Sequence, residues 1–302
     1  MAGGMAGLFL LGASLVPAQL PTGAISGRVL DSSGAAIPGA TVTAMNRETG
    51  RVQTTQTSSS GYYKIVLPVG SYDIRVEATS FRPEVRQSLP LEVAQQAVLN
   101  FTLSVGSVQE TVTVLAEAPL VETTSGSLGG LVNEHRIADL PLNGRNFNDL
   151  VLLQTGVAEN EGANANSAAN RGLAYSSNGA PIRSNYMMLD GANLSGTSGI
   201  TGASVSGSML GVEGIREFRV ITHAFPAEYG MTMGSQVTVV SKSGTNQFHG
   251  TAFEFLRNSS LDARDFFDRK LHKDDPRLPA FRRNNLGGRS AGRFAGTSRF
   301  SS

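Results

Sequence analysis

The chain has 302 residues, of which 40% are hydrophobic and 16% charged, with a net charge of +1 and no cysteine. That length and balance fit two or three folded domains rather than a disordered chain. The near-neutral charge excludes a global pull toward nucleic acid or anionic lipid, and the missing cysteines exclude disulfides and thiolate metal sites.

The first element is the apolar stretch "MAGLFLLGASLVPAQ", Met5 to Gln19. It is too short to span a bilayer, and it suits the core of a signal peptide covering residues 1–18, with Val16 and Ala18 as the small residues before a cleavage site. The segment before it lacks Lys and Arg, and a buried N-terminal helix is the alternative reading. No other window reaches the ~18 apolar residues of a membrane helix.

Short strands and turns follow. "AISGRVL" leads into the turn "DSSG", where Asp31 bonds its own backbone and Gly34 accepts a positive φ. "ATVTAMN" comes next, then "GYYKIVLPVGSYDIRVEA", read as a pair of strands joined at Pro68 to Gly70. In that pair Tyr63, Ile65 and Leu67 share one face, as do Tyr72, Ile74, Val76 and Ala78, the pattern of half-buried antiparallel strands. With "AVLNFTL" as the last strand, the turn spacing predicts a sandwich of about seven strands over residues 23–103. The segment resembles the carboxypeptidase regulatory-like domain, a transthyretin-like sandwich, through "GAISGRVLDSSGAAIPGATVTAMNRETG" and "TSSSGYYKIVLPVGSYDIRVEATSF". Relatives of this fold are grouped with carbohydrate-binding modules, although fold alone does not carry function.

Residues 104–119 read as a linker. Within it Glu110, Thr111, Val112, Thr113, Val114, Leu115 and Ala116 form a β-prone run suited to adding itself to the sheet edge of another protein. On propensity alone the run reads equally well as a final strand of the preceding sandwich.

Beyond the linker, "NFNDLVLLQTGV" predicts a short helix capped by Asn146 or Asn148, carrying Leu150, Val151 and Leu153 and closed by Gly156. "YMMLDGANL" predicts a strand ending at the Asp190 and Gly191 turn, and "EFRVITH" a second strand in which Phe218, Val220 and Thr222 alternate with Arg219 and Ile221. The Gly-rich insert from Gly156 to Gly179 reads as a loop rather than a core element. In "HGTAFEFLRN" Thr251, Phe253 and Phe255 face one way and Gly250, Ala252 and Glu254 the other, as in a soluble sheet or a membrane barrel.

Four blocks in order, "LPLNGRNFNDLVLLQTGV", "RSNYMMLDGANLSG", "VEGIREFRVITHAFPAEYG" and "GSQVTVVSKSGTNQFHGTAFEFLRNSSLDARDFF", resemble the plug of TonB-dependent receptors. The order sandwich, then plug, resembles the Oar-like receptors among them. The resemblance implies a mainly β chain: a seven-stranded transthyretin-like β-sandwich, a small mixed αβ plug domain at 120–245, and the truncated start of an outer-membrane β-barrel at 246–288. It makes Glu110 to Ala116 a TonB box that binds the periplasmic domain of TonB, and "HGTAFEFLRN" the first barrel strand, with Phe253 and Phe255 toward lipid. It also implies contact with outer-membrane lipid once the barrel is complete, and a large polar ligand such as an oligosaccharide or peptide at the insert from Asn160 to Asn178. "FRRNNLGG" looks like the lead into a second strand, after which the chain departs from the family pattern, as a frame change, a truncated gene or a fragment would make it do. Residues 289–302 are expected to be an aberrant or disordered tail, and the basic run through Arg282, Arg283, Arg289, Arg293 and Arg299 reads as solvated or misread chain end.

No HExxH, GxSxG or P-loop occurs, so no enzyme, cofactor or nucleic-acid partner is expected. His135, His223, His249 and His272 are scattered without ligand spacing, and Asp262, Asp265 and Asp268 lack the alternate spacing and the Gly of a calcium loop. The expected function is that of an energy-coupled importer at the outer membrane. The alternative is a secreted carbohydrate-binding or adhesion protein built on the sandwich.

Overall fold

The structure, a computed structural model, describes residues 21–106, 112–115, 127–140, 142, 147–160, 174–194, 211–225, 232–262 and 280–292. The signal-peptide segment lies outside the described residues, as do Asn146, Asp265, Asp268 and His272.

Eight strands build the sandwich: β1 (Thr22–Asp31), β2 (Thr41–Asn46), β3 (Val52–Gln56), β4 (Tyr62–Pro68), β5 (Gly70–Glu77), β6 (Glu84–Leu91), β7 (Gln96–Val98) and β8 (Phe101–Leu103). One sheet runs β4-β1-β7 with β8 also on β1, and the other runs β3-β2-β5-β6. Their inner faces meet over Ile25, Val29, Val42, Tyr63, Leu67, Ile74, Val76, Leu89 and Phe101, all essentially inaccessible to solvent. The expected faces of β4 and β5 are therefore the buried ones.

Two expectations change. β4 and β5 do not form a hairpin: β4 pairs with β1, while β5 pairs with β2 and β6 in the opposite sheet. Only Val69 separates the two strands. A tight hairpin needs two loop residues, so a single residue carries the chain across the sandwich instead of back along the same sheet. The expected last strand is split into β7 and β8, both parallel to β1. Between them the Leu99 amide donates to the Ser26 carbonyl, and the Asn100 side chain accepts from the Arg28 amide. Gly27 makes this possible, because a Cβ there would lie 1.9 Å from the Leu99 carbonyl oxygen. The "DSSG" turn is as expected, with the Asp31 carboxylate accepting from the Ser33 and Ala35 amides at 2.8 Å and Gly34 at φ 87°.

A short strand, β9 (Val112–Leu115), lies beyond β6 in the second sheet.

The next unit holds β10 (Leu128–Asn133), α1 (Glu134–Asp139), β11 (Val157–Glu159), β12 (Tyr175–Ser177), β13 (Tyr186–Leu189), β14 (Ala192–Asn193), β15 (Ile215–His223) and β16 (Gln236–Ser241). Its mixed sheet is ordered β10-β15-β16-β13-β14, with β13 and β16 parallel. Asn133 caps α1, its side chain accepting from the Arg136 amide. The Asp190 and Gly191 turn is as expected: both residues have positive φ, 49° and 82°, and they join β13 to β14. β16 is buried on both faces, as a central strand must be.

Here too the structure departs from the reading. Phe147–Leu153 is a 3-10 helix, and Asn148 is buried within its first turn rather than capping it. Leu150 and Val151 point into the core, whereas Leu153 is exposed. Apolar spacing marks a buried face but does not separate 3-10 from α over two turns. The ends of the insert expected to be a loop pair as β11 and β12, and Tyr175 is buried in the unit's core beside Phe147, Phe218, Val237 and Val239.

Last come β17 (His249–Asn258) and β18 (Arg282–Ala291), an antiparallel ladder of ten residue pairs. The basic segment at Arg282, Arg283 and Arg289 is therefore strand, and ordered chain extends past the expected limit at Gly288. The lead into a second strand read from "FRRNNLGG" is thus itself strand, although its composition argues against one. Its Gly287 and Gly288 lower β-propensity, while the Phe253 ring covers Gly287 from across the ladder, so that a Cβ there would lie 2.6 Å from the ring.

Candidate partner-binding site

Of the seven residues expected to bind a partner, Val112, Thr113, Val114 and Leu115 form β9, while Glu110, Thr111 and Ala116 lie outside the described residues. β9 runs parallel to β6, pairing Glu84 with Val112, Val85 with Thr113, Arg86 with Val114 and Gln87 with Leu115. The backbone of the run is thus an added edge strand of the sandwich, the second of the two readings that propensity left open.

The edge that receives it is short. On one side is Pro83, which has no amide hydrogen to give. On the other is Ser88, at φ 61°, where the β5 to β6 register shifts and the Asp73 carboxylate takes the Ser88 amide at 2.9 Å. Between them the Glu84 side chain is buried and ion-paired with Arg86 at 2.8 Å. Burial pushes the Glu84 carboxyl above the usual carboxylate range, and the Arg86 charge works against that rise.

The chain leading to β9 is fastened to the turn before β6. The Arg82 amide donates to the Ser104 carbonyl and the Gly106 amide to the Ser80 carbonyl. At its other end β6 runs into the turn at residues 92–95, and this turn touches the second unit. The Val93 amide donates to the buried Glu217 carboxylate at 2.7 Å, and Arg219 reaches the Ala94 carbonyl. Alongside, Arg216 makes a bidentate contact with Glu48 at 2.8 Å on both arms, and Asn246 binds the Glu48 and Thr49 carbonyls. Glu48 is held there by the Asn46 side chain, which accepts from the Glu48 and Thr49 amides. Nothing in the sequence flagged these contacts, since they join residues more than a hundred positions apart.

The barrel-type hairpin presents Phe253 and Phe255 on one face with ring centroids 5.8 Å apart, as the alternation predicts. Arg289 on β18 reaches the Glu213 carbonyl of the second unit. A cleft of about 530 Å³, lined by Leu128, Gln154, Asn178, Thr222 and His223, opens beside the start of β10. Among the described residues no cluster of His, Asp and Glu could hold a metal ion, and no helix is long and apolar enough to cross a membrane, which says nothing of strands.

Residues 24–104 match the carboxypeptidase regulatory-like domain, and residues 240–296 match the outer membrane beta barrel domain. Over 221 residues the chain is 28% identical to the TonB-dependent transporter Oar of Myxococcus xanthus, covering 70% of this chain and 19% of that protein. In its parts and their order the chain is similar to the Oar-like TonB-dependent receptors. It spans about a fifth of the length of the Oar transporter, and the barrel-domain match locates an Oar-like chain at the outer membrane. Solved structures with some likeness include catechol 1,2-dioxygenase from Acinetobacter sp. ADP1, 11% identical with a TM-score of 0.25 over 33% of this chain and 60% of that one. Hydroxyquinol 1,2-dioxygenase from Pseudomonas putida is 11% identical with a TM-score of 0.24 over 28% of this chain and 57% of that one. Likenesses this partial carry no chemistry to this chain.

Proposed function

We propose that this chain forms the periplasmic and plug portion of an outer-membrane importer that takes up a large or scarce substrate with energy supplied through TonB. The order of parts carries the reading: a carboxypeptidase regulatory-like sandwich, a mixed αβ unit, then a ten-residue ladder within the barrel-domain match. Ten residues per strand is the length that crosses a bilayer at a tilt. In this reading residues 120–245 are the plug, and Glu110 to Ala116 are the TonB box. The insert from Asn160 to Asn178, apart from the buried Ala174, Tyr175 and Ser177 at its end, faces the outside and contacts an oligosaccharide or peptide.

The box works through its backbone, because a strand added to a sheet edge is gripped by main-chain hydrogen bonds while alternate side chains set the register. A seven-residue peptide of sequence ETVTVLA is therefore expected to bind the periplasmic domain of TonB. Thr113→Pro, which removes a donor and bends the strand, is expected to weaken binding about tenfold or more, and Thr113→Ala only slightly. Equal binding of the proline and native peptides in titration calorimetry would remove this segment from the coupling role.

A further inference from the structure

We propose that the far end of the β17 and β18 hairpin binds a phosphorylated glycolipid of the outer leaflet through Arg257, Arg282 and Arg283. Arg257 and Arg283 stand directly opposite each other in the ladder, and Arg282 is in the next pair, opposite Asn258. Both guanidiniums of the opposed pair lie over the Phe281 ring, their carbons 5.4 Å and 5.6 Å from its centroid. The ring is held in place from its backbone: the Phe281 carbonyl accepts from the Ser259 amide at 2.9 Å, and the Phe281 amide donates to the Ser259 hydroxyl at 3.2 Å. Like charges directly opposite each other weaken a ladder. Asp262, 3.5 Å from Arg257, offsets part of that cost, while among the described residues Arg282 and Arg283 meet no carboxylate. The hairpin therefore ends in unbalanced positive charge. A phosphate neutralises it, and guanidinium groups take phosphate oxygens through paired N–H donors.

The position of this end identifies the source of the phosphate. Just before β17, the Asn246 side chain donates to the Thr49 carbonyl at 2.9 Å and its amide to the Glu48 carbonyl at 3.1 Å, so the hairpin starts against the sandwich. Ten residues at about 3.3 Å each carry the other end about 30 Å away, enough to cross the apolar band of a barrel wall, about 25 Å tall, at a tilt. With the sandwich in the periplasm, a placement that rests on the reading above, the arginine end lies at the outer surface. Arg257 and Arg283 share one face of the hairpin and Arg282 takes the other, so whichever face meets lipid ends in arginine. Phe281 is 39% exposed, as suits a ring in the aromatic girdle where headgroups meet acyl chains. The outer leaflet presents the phosphates of its glycolipid at that level.

Native mass spectrometry of the full chain in neutral detergent tests this, with diphosphoryl lipid A as the probe and dephosphorylated lipid A and phosphatidylglycerol as comparisons. Diphosphoryl lipid A is expected to bind at least about tenfold more tightly than either. Replacing all three arginines, Arg257→Gln with Arg282→Gln and Arg283→Gln, is expected to lower its affinity at least about tenfold. A loosened hairpin would lower affinity too, so Asp262→Asn supplies the opposite sign: it removes the competing carboxylate and is expected to raise affinity about twofold or more. Equal binding by the native chain and the triple variant would overturn the site, as would equal binding of the phosphorylated and dephosphorylated lipids, or no rise with Asp262→Asn. Phosphatidylglycerol binding as tightly as diphosphoryl lipid A would overturn the outer-leaflet assignment. The ETVTVLA titration does not involve the hairpin, so it decides the importer reading separately from the lipid site.

Discussion

Glu217 shows how one side chain ties two folding units together at a cost that depends on pH. Its carboxylate is buried and accepts the Val93 amide, an arrangement that satisfies an otherwise orphaned donor in the turn at residues 92–95. Burial raises its pKa, outweighing the Val93 hydrogen bond and the charges of Arg216 and Arg219, which act the other way. A carboxyl whose folded pKa is raised binds a proton more readily in the folded than in the unfolded state. Its contribution to stability is therefore full below the unfolded value of 4.5 and is lost as pH rises through the folded value. Glu217→Gln keeps an oxygen for the Val93 amide and removes the buried charge. The variant is expected to match or exceed the wild type at pH 7.5 by up to about 1 kcal/mol, and to lose that advantage toward pH 4.5. Denaturant midpoints of both proteins across this range test it, and parallel profiles would show that the carboxyl does not titrate differently on folding. Glu84 shifts in the same direction and leaves a residual slope in the variant.

Among the elements, β1 carries the sandwich, because it pairs with β4 on one edge and with both β7 and β8 on the other. That double pairing turns on Gly27, where the Leu99 carbonyl passes so close that no Cβ fits. Gly27→Ala must push backbone rather than a flexible side chain, and a loss of about 1–3 kcal/mol is expected. Gly34→Ala is the control: its positive φ makes it strained, yet nothing lies within 4 Å of the added Cβ, so the cost stays near about 1 kcal/mol. Thermal or chemical unfolding of the two variants should rank Gly27→Ala as the worse. A reversed order would mean that the split last strand gives way easily and that the sandwich does not depend on it. The hairpin of β17 and β18 uses the opposite device, with Phe253 filling the space that Gly287 leaves.

At the scale of the whole molecule, the sandwich and the second unit have separate cores and meet through polar contacts. The Glu48 and Arg216 pair is bidentate but partly open to water, so screening limits it to about 1 kcal/mol. Arg216→Ala is expected to leave both cores folded while separating their unfolding into two calorimetric transitions. A double-mutant cycle with Glu48→Ala should return a coupling of about 1 kcal/mol. A single unchanged transition would show that the Glu217, Arg219 and Asn246 contacts are enough to hold the units as one. The same contacts lie at the far end of β6 from the β9 ladder, so one strand pairs with β9 near one end and leads at the other into the turn that meets the second unit.

Much of this was legible in the residues. The alternation in "YKIVL" and "YDIRV" assigned the buried faces of β4 and β5, "LDGAN" specified the turn between β13 and β14, and "GTAFEF" placed two aromatic rings on one side of β17. Each is a local matter, because a period of two and the φ demands of a turn are set by neighbouring residues. What local pattern did not determine was pairing, and the joined pair read for β4 and β5 was wrong for that reason. Whether β4 turned back on β5 or crossed to the other sheet, whether residues 110–116 ended the sandwich or stood apart, and whether the arginines after Phe281 formed a strand all depended on partners far along the chain. Backbone hydrogen bonds are the same for every residue type except proline, so an edge is filled by whichever segment tertiary packing brings to it, and only the folded chain makes that choice.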